Sequence, residues 1–137
     1  MRVGYGIASP SIIGAMDAVR EPFNVNTLAQ AAAAAALGDR AFLNRTRRMV
    51  RDGRGDLMAG LSRLGVRAIP SVTNFLLLDV GPAASRITKA LVRQGIIVRD
   101  MSAWHLDGCL RVTIGTPSEN RRFIHALKNI LPARGVS

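Results

Sequence analysis

Between Asp39 and Leu64, apolar and small residues recur at three- and four-residue steps: Phe42, Thr46, Met49, Gly53, Leu57, Gly60, Leu61 and Leu64. That spacing turns one stripe of a long helix toward a core. Gly53 and Gly55 are expected to weaken or bend it. Upstream, RVGYGIA reads as a strand of small and apolar residues ending at the Ser9-Pro10 break, and SIIGAMDAVR suits a short helix. EPFNVN is an irregular connection. From Thr27, LAQAAAAAALGD predicts a helix with Gly38 as its stop.

After Gly65 the pattern changes to short apolar runs: VRAIP, NFLLLDV, a helix from about Ala83 to Gln94, and GIIVRD. This is an α/β alternation. In LRVTIGT, Val112 and Ile114 alternate with Arg111 and Thr113, as in a strand with one buried face. Thr116-Pro117-Ser118-Glu119 is a capping box with proline at the first helical position, and Phe123, Leu127, Ile130 and Leu131 form the inner stripe of a closing helix.

Composition narrows the class. With 137 residues, 48% of them hydrophobic and 20% charged, the chain can bury roughly 68% of its unfolded surface in one core. No run approaches the ~20 apolar residues of a membrane-spanning helix, and no convincing signal peptide is present, so a cytoplasmic protein is expected. Cys109 is the only cysteine, which excludes an intrachain disulfide and a cysteine-rich zinc site. Seventeen arginines and two lysines against nine acidic residues give a net charge of +10. Nucleic acid, anionic membrane and small anions are then the partner classes to separate. The cluster Arg45, Arg47, Arg48, Arg51 and Arg54 falls largely off the apolar stripe and has no interleaved aromatics. It reads as a solvated helix face in preference to a nucleic-acid surface.

Candidate chemistry converges on two other arginines. Arg99 ends one predicted strand and Arg111 begins the next. If those strands are antiparallel neighbours, both guanidiniums reach one edge of the sheet and form an anion clamp; otherwise they are two ordinary rim arginines. Trp104, in the loop between them, is either a recognition lid or an anchor. His105 and Cys109 are too few to bind a metal, so none is expected. His125 is assigned to the surface. Gly4-Tyr5-Gly6 lacks the later glycine of a dinucleotide fingerprint.

Taken together, RVGYGIAS, PFNVN followed by AQAAAAAAL, PSVTNFLLLDV, GIIVRDMSAW and LRVTIGTPSENRRFIHAL resemble, in that order, the C-terminal part of histidinol-phosphate aminotransferase. That family belongs to the fold type I aminotransferases that use pyridoxal 5′-phosphate. Its Schiff-base lysine lies in a Ser-Lys segment running on to Gly-Leu-Arg-Val-Gly-Tyr. The match to Arg2-Val3-Gly4-Tyr5 therefore implies a lysine upstream of Met1. By the same resemblance, Arg2 corresponds to the arginine on the cofactor phosphate. Arg111 corresponds to the one that takes a carboxylate or phosphate of the substrate, and Arg99 to its partner. Members commonly read Tyr-Gly after Met-Ser-Ala, where this chain has Trp104-His105.

The resemblance implies an α/β chain: residues 1–37 as a strand-helix remnant of the large cofactor domain, and 38–137 as the small C-terminal domain, a short sheet packed by helices. It implies part of a transaminase exchanging an amino group between histidinol phosphate and 2-oxoglutarate, homodimeric when complete. The chain itself carries no catalytic lysine and is expected to be inactive alone; Lys89 and Lys128 read as solvated side chains. Two other readings remain: a fragment of a related pyridoxal-phosphate-dependent amino-acid phosphate decarboxylase, and a basic nucleic-acid-binding module using the arginine-rich helix.

Overall fold

The computed structural model describes residues 3–131. The chain divides into two compact units, 1–44 and 45–137.

In the first unit, α1 (Pro10–Val19) begins with proline in its first turn, where the missing N–H is no loss. None of its residues is buried. Helix α2 (Thr27–Gly38) is capped by Asn26, whose Oδ1 accepts from the Ala29 N–H at 2.8 Å, and it stops at Gly38 as the sequence predicts. Over the described part of RVGYGIA the expected strand is not formed: residues 3–9 are exposed and belong to no ladder. A strand exists only through hydrogen bonds to a neighbouring strand, and the described strands pair with one another in the second unit.

Helix α3 (Arg40–Arg63) runs without interruption through Gly53 and Gly55, so neither glycine breaks it. The stripe is covered from Gly53 onward, where Gly53, Leu57, Gly60 and Leu61 are buried; Phe42 and Met49 remain exposed. Four of the five clustered arginines, Arg45, Arg47, Arg48 and Arg51, are exposed. Arg54 departs from that reading: it is half-buried, and its Nη2 donates to the Thr73 carbonyl at 2.9 Å.

The second unit is built on a four-stranded antiparallel sheet in the order β1 (Arg67–Ile69), β2 (Phe75–Asp79), β4 (Cys109–Thr113), β3 (Arg99–Asp100). Because β4 is antiparallel to both neighbours, β2 and β3 are parallel, and α4 (Ala84–Arg93) makes the return between them. Helix α5 (Pro117–Ile130) follows β4 and opens with the anticipated capping box.

Alternation along the strands sorts the sheet into two faces. Leu76, Leu78, Leu110 and Val112 face the helices and join Leu57, Leu61, Ile87, Leu91, Phe123 and Leu127 in one core. Full burial of each large side chain stabilises by about 1.5–3 kcal/mol. The other face carries Phe75, Leu77, Asp79, Arg111 and Thr113 and is only partly covered. It is on this open face that the candidate chemistry lies.

Candidate functional site

Strands β3 and β4 are antiparallel neighbours, and their register sets Arg99 directly opposite Arg111. Opposite residues of a ladder point to the same face with Cα atoms about 4.5–5.5 Å apart. Both side chains therefore leave the sheet on the same face. Among the described residues neither meets a carboxylate within ion-pair distance. At the other end of the sheet the corresponding rung pairs opposite charges, Arg67 with Asp79. A rung of two like charges is destabilising on its own, by roughly 0.2–1 kcal/mol. An anion with two or more oxygens removes that penalty and takes a fork of donors from each side.

Each guanidinium lies over an aromatic ring: Arg99 over Trp104, with its Cζ 5.2 Å from the centroid, and Arg111 over Phe75 at 5.4 Å. Stacking occupies the faces of the planar group and leaves its N–H edges free. Arg111 is half-buried in the middle of β4 and Arg99 is exposed on the two-residue edge strand. Phe75 was missed in the sequence; its signal was the alternation of Phe75, Leu77 and Asp79 against Leu76 and Leu78 in NFLLLDV.

The loop between the arginines is tied to itself by backbone bonds. The Met101 N–H donates to the Cys109 carbonyl at 3.1 Å, and Trp104 and Leu106 both donate to the Met101 carbonyl at 2.9 and 3.3 Å. Asp100 Oδ1 accepts from the Ser102 N–H at 3.0 Å. The single turn Ser102–Trp104 ends at His105, which sits at φ 57° and ψ 30°. That left-handed conformation is the one glycine adopts without strain.

The other sequence candidates do not join this site. Arg2 lies outside the described residues. His125, on α5, is exposed, and its Nε2 is 3.3 Å from Asn129 Nδ2. Cys109 is a free, half-buried thiol opposite Asp79 in β2. Among the described residues no three His, Cys, Asp or Glu side chains group as metal ligands, and no helix is long and apolar enough to cross a membrane.

The fold and the comparisons agree on a class. The model of the family "aminotransferase class I and II" matches residues 1–127, and the chain belongs to that family of pyridoxal-phosphate-dependent enzymes. It is 45% identical over 135 residues to histidinol-phosphate aminotransferase 2 of Pseudomonas fluorescens (strain Pf0-1), covering 98% of this chain and 36% of that relative. The chain thus spans about a third of the relative's length. Among solved structures it is similar to histidinol-phosphate aminotransferase from Sinorhizobium meliloti in complex with pyridoxal-5′-phosphate, at 28% identity and a TM-score of 0.75, over 88% of this chain and 34% of that one. It is also similar to L-threonine-O-3-phosphate decarboxylase from Porphyromonas gingivalis, at 31% identity and a TM-score of 0.76, over 90% of this chain and 39% of that one.

The resemblance implies a lysine that holds the cofactor covalently. This chain has two, Lys89 and Lys128, both exposed and both on helices that cover the opposite face of the sheet from Arg99 and Arg111. Neither fits a Schiff-base site beside the arginine pair.

Proposed function

We propose that this chain is the C-terminal part of a pyridoxal-phosphate-dependent transaminase that exchanges an amino group between histidinol phosphate and 2-oxoglutarate. Residues 1–37 derive from its large domain and 38–137 from its small one. Arg99 and Arg111 bind the phosphate or carboxylate of the substrate, and Arg2 contributes to the cofactor phosphate. The observation that carries the reading is the unneutralised Arg99–Arg111 rung on the open face of the sheet. Identity of 45% with a histidinol-phosphate aminotransferase supports the substrate. Tyr5, Ile7, Phe23 and Leu28 in the first unit are each more than three-quarters exposed, as surfaces that pack against the rest of such an enzyme would be. The complete enzyme is a cytoplasmic homodimer on this reading, and the chain alone does not transaminate.

The similarity to a threonine-phosphate decarboxylase favours a second reading, in which the same arginines hold the phosphate of an amino-acid phosphate. One titration separates the two. The arginine Nε–Hε resonances of the purified chain are followed as histidinol phosphate, histidinol or O-phosphothreonine is added. Histidinol phosphate is expected to shift Arg99 and Arg111, and histidinol to leave them. Tighter binding of O-phosphothreonine moves the chain to the decarboxylase reading. Indifference to all three, or shifts that persist in the partner arginine's Gln variant, refutes the clamp.

A further inference from the structure

The two arginines of the rung are held very differently. Arg111 sits within a five-residue strand hydrogen-bonded on both sides, half-buried, over a ring that belongs to the neighbouring strand. Arg99 sits on a two-residue edge strand and is exposed. Its guanidinium has no ion pair and no hydrogen bond among the described residues; its one ordering contact is the Trp104 ring. A free arginine side chain carries close to the largest rotamer entropy of any residue, and that entropy is lost when an anion is bound.

Trp104 can restrict that freedom because it is itself fixed. The Trp104 N–H is bonded to the Met101 carbonyl, the next N–H to Ser102, and Met101 is pinned to Cys109 of β4 and buried. Trp104 is 50% exposed, and its ring lies under the Arg99 guanidinium. Trp104 is outside the core cluster, and an aromatic face within about 6 Å of a guanidinium attracts it electrostatically.

The geometry points to Trp104 as the positioning residue for Arg99: its ring holds the guanidinium on the face of the sheet that Arg111 shares, so that the pair meets a phosphate with Arg99 already ordered. This rests on the reading of Arg99 and Arg111 as an anion clamp and adds which side chain sets its affinity. Trp104 does not touch the anion. It acts through Arg99.

The test uses the full chain with inorganic phosphate as the probe, against chloride at matched ionic strength, and reads both binding and the Arg99 Nε–Hε and Cδ proton shifts. In the phosphate-free wild type, the Arg99 protons are expected upfield from the tryptophan ring current; protons at ordinary shifts overturn the proposal without any variant. Trp104→Leu is expected to abolish that displacement and weaken phosphate about two- to fivefold, the fold-change of an exposed cation–π contact. Trp104→Phe, which retains a ring, is expected to keep affinity within about twofold of wild type. Amide protection at Met101 and Cys109 reports whether the loop is intact. In an Arg99→Gln background, Trp104→Leu is expected to change phosphate affinity no further, which separates positioning from a general structural effect. Wild-type affinity in Trp104→Leu overturns the role of Trp104 and leaves the clamp standing. Failure of the wild type to bind phosphate, or binding indifferent to Arg99→Gln and Arg111→Gln, overturns the clamp and this proposal together. As the chain's one tryptophan, Trp104 also provides an independent fluorescence titration.

Discussion

Gly53 on α3 and Asn120 on α5 approach so closely that a Cβ added to the glycine would stand 2.9 Å from the Asn120 Nδ2 and 2.9 Å from Ile114 Cγ2. The asparagine cannot swing aside cheaply. It is buried, its Oδ1 accepts the Gly115 N–H at 2.9 Å, and its Nδ2 donates to the Gly115 carbonyl at 3.1 Å. These bonds fix the turn that joins β4, the strand of Arg111, to α5.

Gly53→Ala is therefore expected to destabilise. Overpacking costs about 1–3 kcal/mol, and the better helix propensity of alanine returns about 1 kcal/mol, leaving a net loss of up to about 2 kcal/mol. Gly55, two residues on, meets nothing within 4 Å. Gly55→Ala is expected to stabilise by about 0.5–1 kcal/mol. Urea midpoints of the two variants should move in opposite directions; movement in the same direction would remove the packing role of Gly53.

The capping box gives the acid limb of stability a defined contributor. Glu119 Oε2 accepts from the Thr116 N–H and from Thr116 Oγ1, both at 2.8 Å. The backbone bond first, then the hydroxyl, hold its carboxyl below the usual carboxylate range. With the folded value depressed, the unfolded chain binds the proton more readily, so this contribution is complete above the unfolded value and is lost as pH falls through the folded one. Glu119→Gln should narrow its stability gap from wild type on acidification, read as urea midpoints at neutral and acid pH; a constant gap would rule the linkage out. Thr116→Ala, which also removes the N-cap oxygen, is expected to cost about 1 kcal/mol.

His105 occupies a left-handed position that most side chains avoid. His105→Gly is expected to gain about 0.5 kcal/mol, strain relief exceeding the added freedom of the unfolded glycine. His105→Val is expected to lose about 1 kcal/mol or more, because β-branched residues fit this conformation worst. Thermal unfolding of the pair checks both signs. Equal midpoints would mean that the turn relaxes around the substitution.

What the sequence disclosed divides along a physical line. A 3.6-residue period located α3 and the inner stripe of α5, and alternation located β4, because burial on one face is a local pattern; β2 was read from its apolar run alone. The Thr116–Glu119 box located a helix start for the same reason. RVGYGIA was misread because a strand is defined by its neighbour, and GIIVRD was overextended: only Arg99 and Asp100 pair, and Ile97 is 88% exposed. Gly53 was taken for a weak point in a helix when its meaning is the asparagine across from it. The arginine pair was legible as a conditional statement about antiparallel strands. The rings beneath the arginines were not: the Trp104 stack lies across a loop and leaves no spacing to read, and the alternation that places Phe75 on the arginine face is hidden in an apolar run.

The rung of Arg99 and Arg111 sets stability against binding. In a low-salt buffer free of polyvalent anions, Arg99→Gln removes one of two facing charges and is expected to raise stability by a few tenths of a kcal/mol, up to about 1. Both side chains are at least partly exposed, so salt screens the gain. Phosphate reverses the order. A ligand that binds only the folded chain stabilises it by RT ln(1 + [L]/Kd), about 2.7 kcal/mol at a hundredfold excess over Kd, and the variant with one fork forfeits most of that increment. The unfolding midpoints of wild type and Arg99→Gln, followed as phosphate replaces chloride at matched ionic strength, should therefore cross. Parallel lines would mean that the two positive charges are an uncompensated feature of the sheet edge and no anion site. A crossing means that the chain tolerates the repulsion because the anion relieves it.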